Sequence, residues 1–102
     1  MNGSFLIPEK FKLNGNVIKV VIDDSYCSDD GCYGEADFSQ MAITICEKFR
    51  GKKLPKNIRE QTYYHELVHM ILDSLGKNRL KYDEDFVEGF AQRLHEYEKT
   101  KQ

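Results

Sequence analysis

The sequence predicts an α+β fold, in which a small antiparallel sheet of three to four strands is followed by two packed helices. In the first half of the chain, β-branched residues alternate with polar residues, and turn signals separate the runs. In the second half, apolar residues recur at every third or fourth position, which is the period of an amphipathic helix. The 102 residues contain no internal repeat and no linker-like tract, so we predict one domain over residues 1–102.

The strands are predicted as two hairpins. Residues 11–13 and 17–22 flank the segment Asn14-Gly15-Asn16, and Asn-Gly is the strongest short-range signal for a tight β-hairpin. Residues 33–38 and 41–46 repeat this scheme around a second turn, with clear alternation in the later run. A sheet of three or four strands follows from the two hairpins.

The two helices are indicated by signals at their ends. Asn57, followed three residues later by Glu60, resembles a capping box, and the apolar face behind it stops at Gly76. We therefore predict the first helix over residues 58–75. The acids at residues 83–85 suit the positive end of a second helix, which we predict to run to about residue 98. Its apolar face consists of Val87, Phe90, Ala91 and Leu94.

Composition and charge exclude several classes of protein. No apolar run approaches the roughly 18 residues that a membrane span needs, and the first residues lack the basic and apolar regions of a secretory leader. The net charge of −2 argues against a dedicated nucleic-acid binder. Six cations and no acid lie between residues 48 and 59, a basic stretch that is either a solvated loop or a surface for an anionic partner.

The three cysteines are too few for the disulfide framework of a small secreted domain, so we predict a cytoplasmic protein. Cys27 and Cys32 belong to an acidic segment that matches neither a zinc-binding nor a calcium-binding pattern, and we predict a mobile loop there. Cys46 ends an apolar strand and is predicted to be a small buried hydrophobic residue.

The most informative segment is His65-Glu66-Leu67-Val68-His69, an HExxH motif within the first predicted helix. Four residues correspond to about 400° of helical turn, so the two imidazoles lie one above the other and can bind the same metal ion. Glu66 lies about 100° away from His65, close enough to take a proton from a metal-bound water without binding the metal. Glu66 is therefore the candidate general base, and two surface histidines on an amphipathic helix are the simpler alternative.

A catalytic zinc site usually has three protein ligands, so a further residue is needed beside His65 and His69. Glu88 is the preferred candidate, because an antiparallel second helix would bring it next to the motif, although it could instead form a capping box with Asp85. Two alternatives stay open, Glu84 and His95. Asp73, one turn after His69, is a candidate to orient an imidazole or is simply an exposed acid.

The sequence resembles zinc metallopeptidases of the zincin group, and specifically the gluzincins, which pair HExxH with a downstream helix that carries Glu. In that branch Glu-x-x-Ala is often followed by Asp or Asn, and this chain has Glu88-Gly89-Phe90-Ala91-Gln92, with Gln92 in place of the usual residue. The plan of the chain also resembles the compact phage- and prophage-associated metallopeptidases, including the ImmA/IrrE type. The resemblance implies that His65, His69 and Glu88 bind one Zn²⁺ per chain, and that Glu66 acts as base and then as acid.

The resemblance also implies where a substrate lies. In zincins a peptide lies along an edge strand of the sheet, and residues 42–46 are the nearest candidate strand. Many zincins hold the oxyanion of the tetrahedral intermediate with a Tyr or His side chain. Candidates for that role are Tyr82, Tyr33 and His95, each of which could also be an ordinary core or surface residue.

We therefore predict a zinc-dependent metallopeptidase that hydrolyses peptide bonds in a peptide or protein substrate through a zinc-activated water, with Glu66 as general base. The alternative is a zinc-containing binding or regulatory module on the same scaffold, which acts through a protein partner without proteolysis. The small size of the chain and the basic stretch favour this alternative. A third hypothesis, a metal-free structural protein, requires the HExxH motif to be accidental.

Overall fold

A four-stranded sheet packs one face against the first of two helices, and the second helix packs against the first, which confirms the predicted α+β class. The computed structural model describes residues 7–27 and 33–102. Its elements are β1 (Lys10–Leu13), β2 (Asn16–Ile22), β3 (Gly34–Asp37), β4 (Ala42–Ile45), β5 (Lys48–Phe49), β6 (Lys52–Lys53), α1 (Lys56–Ser74) and α2 (Glu84–Thr100). The predicted loop around Cys32 lies outside the described residues. No helix in the described part of the chain combines the length and apolarity that crossing a membrane requires.

The sheet is mixed, whereas the sequence predicted an antiparallel one. Its strand order is β1-β2-β4-β3, and β2 pairs with β4 in parallel while the other two pairs are antiparallel. The hairpin of β3 and β4 folds back so that β4 inserts beside β2. As a result β3 is an edge strand, and residues 42–46, which we expected to offer a free edge, belong mostly to an interior strand.

The first hairpin forms as predicted. Asn14 and Gly15 have φ values of 52° and 81°, the left-handed pair that a tight primed turn requires. Lys12 then faces Val17, and Leu13 faces Asn16. The Asn-Gly signal therefore specified both the turn and the register of the two strands.

Helix α1 ends as predicted but begins differently. At its C-terminus Gly76 has φ 73°, its N–H bonds to the Asp73 carbonyl at 3.0 Å, and the Lys77 N–H bonds to the Leu72 carbonyl at 2.9 Å. At its N-terminus the cap residue is Pro55, which makes no side-chain cap bond. The expected capping box is absent because Glu60 turns into the protein interior instead.

Helix α2 begins at its predicted acids. Asp83 is the N-cap residue, and its carboxylate accepts a bond from the Phe86 N–H at 3.1 Å. Val87 and Ala91 are fully buried against the core, as predicted. Phe90 is 52% exposed, so its assignment to the apolar face was wrong.

The core forms between the inner face of the sheet and α1. Ile18, Ile43 and Ile45 of the sheet belong to one buried cluster with Tyr63, Tyr64 and Val68 of the helix. At Gly34 the backbone of β3 comes so close to α1 that an added Cβ would lie 2.6 Å from Thr62 Cγ2 and 2.9 Å from the Thr44 carbonyl. This close packing places β3 directly beside the HExxH segment.

The basic stretch forms a short hairpin that the sequence did not predict. Lys48 of β5 faces Lys53 of β6, and Arg50 and Gly51 form the turn with φ values of 52° and 80°. A small cluster supports the hairpin from below and includes Tyr33, Cys46, Phe49, Leu54 and Ile58. Cys46 is fully buried as predicted, but its sulfur is part of a disulfide rather than a free thiol.

Candidate metal centre and active site

The two histidines of the motif converge on one carboxylate. His65 and His69 are one turn apart on α1, and their ring centroids are 4.9 Å apart. Glu84, in the first turn of α2, lies opposite both rings, with Oε1 at 3.0 Å from His65 Nε2 and Oε2 at 3.4 Å from His69 Nε2. One ligand atom from each of these three side chains lies within 4.8 Å of the other two. The arrangement is the only such group of three or more metal-binding side chains in the part of the chain that the structure describes.

The other nitrogen of each ring is held by an acceptor. His69 Nδ1 lies 2.6 Å from the main-chain carbonyl of Lys81, and a carbonyl only accepts, so this nitrogen carries the proton. His65 Nδ1 lies 2.6 Å from Glu88 Oε1. Burial raises the pKa of Glu88, but the bonds from His65 and Gln92 outweigh it and hold that pKa below its ordinary value, so this carboxylate also accepts. Both Nε2 atoms are therefore free to present lone pairs toward Glu84, as metal-binding histidines do.

This donor set fits a cation. Two imidazole lone pairs and a carboxylate are all acceptors, and they repel one another unless positive charge lies between them. Zinc bonds to nitrogen and oxygen at about 2.0–2.1 Å, so neighbouring ligands of a tetrahedral site are about 3.3 Å apart. Glu84 Oε1 lies 3.0 Å from His65 Nε2 and Oε2 lies 3.4 Å from His69 Nε2, and one ligand atom from each side chain lies within 4.8 Å of the other two, which is near that spacing but wider than a bound zinc would have. These three side chains could hold a zinc ion, and three protein ligands would leave one position for water or substrate.

The two histidines differ in their affinity for a proton. Burial lowers the pKa of His65, but the bond to Glu88 and the charges of Glu66 and Glu84 outweigh it and raise that pKa above its usual value. Burial dominates at His69 and lowers its pKa, against the effect of the Lys81 carbonyl. The two rings therefore differ, and His65 is the one that becomes protonated first as the pH falls.

The third ligand favoured by geometry is Glu84 rather than Glu88. Asp83, not Asp85, caps α2, so the first turn of the helix carries Glu84 to the open ends of both rings. Glu88 lies one turn further along and reaches only His65 Nδ1, the nitrogen that points away from the cluster. Glu84 therefore lies at the position that faces both rings, and Glu88 follows one turn later. Gln92 bonds to Glu88 Oε2 at 2.9 Å and does not reach the rings.

Two further residues that the sequence suggested for this site, His95 and Asp73, do not contact the imidazoles of His65 and His69. His95 contacts Glu60 and Gln61 in the interior, so it is neither a ligand candidate nor placed to bind an oxyanion. Asp73 contacts no imidazole, but its carboxylate bonds to Lys81 Nζ at 2.6 Å. Since the Lys81 carbonyl holds His69, Asp73 supports that ring through Lys81.

Glu66 is buried beside the cluster. Its side chain is among the few buried polar groups, with 8% of the residue exposed. Burial raises the pKa of Glu66 to about 7; the positive charge of His65 opposes this rise, and the negative charges of Glu84 and Glu35 add to it. A carboxylate that titrates near neutral pH is well matched to exchange protons with water during catalysis.

Two clefts adjoin at the motif. One, of about 300 Å³, is lined by Tyr33, Ile58 and Glu88, and the other, of about 390 Å³, by Phe38, Tyr82 and Glu84. Gly34, His65 and Glu66 line both. The candidate centre therefore lies between two open clefts at the start of edge strand β3.

Sequence reasoning missed several parts of this site. The Lys81 carbonyl carries no side-chain signal, and the close approach at Gly34 depends on how β3 packs on α1. Gln61 lines the cleft beside His65 and Glu88, and it could have been found, because it lies four residues before His65 and thus on the same helical face. Comparisons of the chain with protein-family models, curated proteins and solved structures found no match.

The raised pKa of Glu66 has a measurable effect on stability. The folded protein binds this proton more tightly than the unfolded chain does. The contribution of Glu66 to the free energy of unfolding is therefore most favourable below about pH 4.5, and it declines as the pH rises to about 7. In metal-free protein, Glu66→Gln should therefore be more stable than the parent at pH 8, by up to about 3 kcal/mol. Urea unfolding with a chelator at pH 4 and pH 8 measures the difference, which should shrink at the lower pH. An equal difference at both values would contradict the buried titration.

Proposed function

We propose that the protein is a zinc metallopeptidase that cleaves within peptide chains. The observation that carries this proposal is that His65 and His69 both present Nε2 to Glu84, while each Nδ1 is fixed by its own acceptor. Two surface histidines on a helix would have no reason to be held in this way. The resemblance of the HExxH helix to the zincins supports the same assignment.

The proposed ligands of one Zn²⁺ per chain are His65, His69 and Glu84. Glu88 and the Lys81 carbonyl orient the two rings, a role whose loss typically weakens metal binding by about 10–100-fold. A bound zinc would polarise the scissile carbonyl and lower the pKa of the attacking water.

Glu66 is the proposed general base and acid. Its carboxylate accepts a proton from the attacking water and then delivers it to the leaving amine. Burial keeps this group out of bulk water and beside the two histidines, where it can exchange a proton with the attacking water. Tyr82 lines the cleft beside His69 and Glu84, so it is the proposed donor to the developing oxyanion.

The proposed substrate is an extended peptide along β3. Among the described strands, this one lies at an edge of the sheet next to the motif, and an edge strand can pair its main chain with an added strand. Open clefts on both sides of Glu66 provide room for substrate residues before and after the scissile bond. That arrangement favours cleavage within a chain over removal of a terminal residue.

Metal content and peptide cleavage test the proposal together. Protein purified without a histidine tag should contain one zinc per chain and should cleave an unstructured peptide mixture in a chelator-sensitive manner. Elemental analysis and mass spectrometry of the products measure the two results. Protein that binds no zinc when the metal is supplied would contradict the proposal.

The second candidate is a non-proteolytic binding module that uses the same zinc site. The specific observation in its favour is the β5–β6 hairpin, where Lys48 and Lys53 face each other although like charges opposite one another destabilise a strand pair. An acidic protein partner would relieve that repulsion. A protein that binds one zinc but cleaves no peptide at any pH would favour this function.

The proposed setting is the cytoplasm, with a peptide or protein as partner and with neither a membrane nor nucleic acid. The disulfide at Cys46 is unusual there, because such bonds are rare in reducing compartments. Cys46 itself is completely buried, so its own sulfur is not accessible to attacking thiolates. A relation to phage-associated peptidases is part of the same proposal and rests on the resemblance of the sequence.

A further inference from the structure

Two exposed cations lie beyond one end of the candidate active site. Arg50 is in the turn of the β5–β6 hairpin and Lys52 is in its second strand, and both are exposed. Another cation of the basic stretch, Arg59, pairs with Glu47 at 4.0 Å. In the described part of the chain, no carboxylate lies within ion-pair distance of Arg50 or Lys52. We call these two residues the basic tip.

The basic tip flanks the aromatic ring of Phe49. The guanidinium of Arg50 lies 5.0 Å from the centroid of that ring, a cation–π contact that favours one position of this long side chain. Lys52 is the partner of Phe49 across the hairpin, and directly opposed residues place their side chains on the same face of a strand pair. The two cations are therefore presented together, on either side of one ring.

Phe49 connects the basic tip to the candidate active site. Its ring makes an edge-to-face contact with Tyr33, with centroids 5.4 Å apart. Tyr33 immediately precedes β3 and lines the cleft of about 300 Å³ that also contains Glu66 and Glu88. The basic tip therefore lies just beyond the Tyr33 end of this cleft.

A peptide paired with β3 would pass this end of the cleft. An added Cβ on Gly34, the first residue of β3, would lie 3.4 Å from Glu66 Cγ, so the scissile bond of such a peptide belongs near Gly34. The contacts of 5.4 and 5.0 Å that lead from Tyr33 through Phe49 to Arg50 correspond to about three residues of extended chain. Substrate side chains about three to five residues from the scissile bond are therefore within reach of the basic tip.

The charges favour an acidic substrate side chain at that distance but not inside the cleft. Glu66 and Glu88 line the cleft itself, so a carboxylate placed there would be repelled. A nucleic acid carries a phosphate at every nucleotide, and its neighbouring phosphates would meet the same repulsion. The net charge of −2 also disfavours a polyanion. A peptide with neutral residues in the cleft and an acid beyond it matches both regions.

We infer that Arg50 and Lys52 bind a Glu or Asp side chain of the substrate, about three to five residues from the scissile bond and on one side of it only. The inference rests on the proposed peptidase and names the class of its substrates. These are peptides that are neutral around the scissile bond and acidic further along the chain.

Substrates with a single added acid test this inference. A neutral peptide that the parent cleaves is compared with versions that carry one Glu at successive positions on either side of the scissile bond. Glu about three to five residues away, on one side, should lower KM about three- to tenfold and leave kcat nearly unchanged, because an exposed ion pair contributes equally to the binding of substrate and transition state. The effect should shrink at high salt, which screens exposed charges.

Two double variants with an equal loss of charge locate the contact. Arg50→Gln with Lys52→Gln should abolish the gain from the added Glu. Lys10→Gln with Lys12→Gln, on β1 at the opposite edge of the sheet, is the matched control and should retain it. All four side chains are exposed, so both variants should fold.

Three results would overturn the inference. They are the absence of a gain from Glu at every position, an equal gain in the parent and in Arg50→Gln with Lys52→Gln, and tighter binding of a single-stranded oligonucleotide than of the Glu-containing peptide through the same two cations. If the parent cleaves no peptide, the proposed function fails separately. Fluorescence anisotropy of the labelled Glu-containing peptide then decides the inference, because binding that is weaker in Arg50→Gln with Lys52→Gln supports it and equal binding overturns it.

Discussion

Peptide hydrolysis should be lost in Glu66→Gln while zinc binding is retained. The amide cannot accept a proton from water, and loss of a positioned general base typically lowers the rate by about 10²–10⁴-fold. Glu66 lies beside the three proposed ligands without being one of them, so the zinc content should stay at one per chain. Product formation from a fluorogenic peptide and elemental analysis of the same sample give the two values.

A neighbouring carboxylate provides the matched control for this variant. Glu35 lines the same cleft on β3 but is exposed, and its negative charge contributes to the raised pKa of Glu66. Glu35→Gln should therefore keep most of the activity and shift the acidic limb of the pH profile slightly lower. Full activity of Glu66→Gln would remove Glu66 from the mechanism and leave the binding module as the better function.

Zinc affinity should fall much further in Glu84→Ala than in Glu88→Ala. Within the described part of the chain, Glu84 is the only carboxylate that faces both Nε2 atoms, so we expect its removal to weaken zinc binding by more than about 100-fold. Removal of Glu88 frees only the orientation of His65, for which about 10–100-fold is typical. Competition titrations against a chelator of known affinity measure both losses.

Which of these two variants loses more zinc affinity decides whether Glu84, favoured by the structure, or Glu88, favoured by the sequence, is the ligand. If Glu88→Ala binds zinc more weakly than Glu84→Ala, the ligand is the residue that the sequence favoured, and α2 shifts by one turn when the metal binds. Glu96→Ala, on the exposed side of the same helix, controls for loss of negative charge and should leave zinc affinity unchanged.

The sequence predicts those parts of the molecule that depend on local chemistry. The Asn14-Gly15 turn, the Gly76 helix end and the acidic start of α2 are each determined by neighbouring residues, and all three were predicted correctly. The parallel pairing of β2 and β4 could not be predicted, because it depends on which strand inserts between two others. Glu60 was also misassigned, since the local capping pattern competes with a partner 35 residues away, His95.

In the candidate site, too, the features set by neighbouring residues could be predicted, and those set by the packing of distant elements could not. The spacing of His65, Glu66 and His69 follows from helix geometry alone. The choice between Glu84 and Glu88 depends on where α2 lies along the axis of α1. Residue spacing in the sequence does not determine that position to within one helical turn. The sequence favoured Glu88 and kept Glu84 as an alternative, and in the described part of the chain Glu84 is the one that groups with both histidines.

The segment between the two helices is less free to change its length than a surface connection usually is. Lys81 uses its carbonyl to hold His69 and its ammonium to hold Asp73, and Glu84 follows only three residues later. An inserted residue anywhere between Gly76 and Asp83 would change the reach of both the carbonyl and the carboxylate. Surface connections generally tolerate changes in length, but in this chain the length of the interhelical segment is set by the chemistry at its two ends.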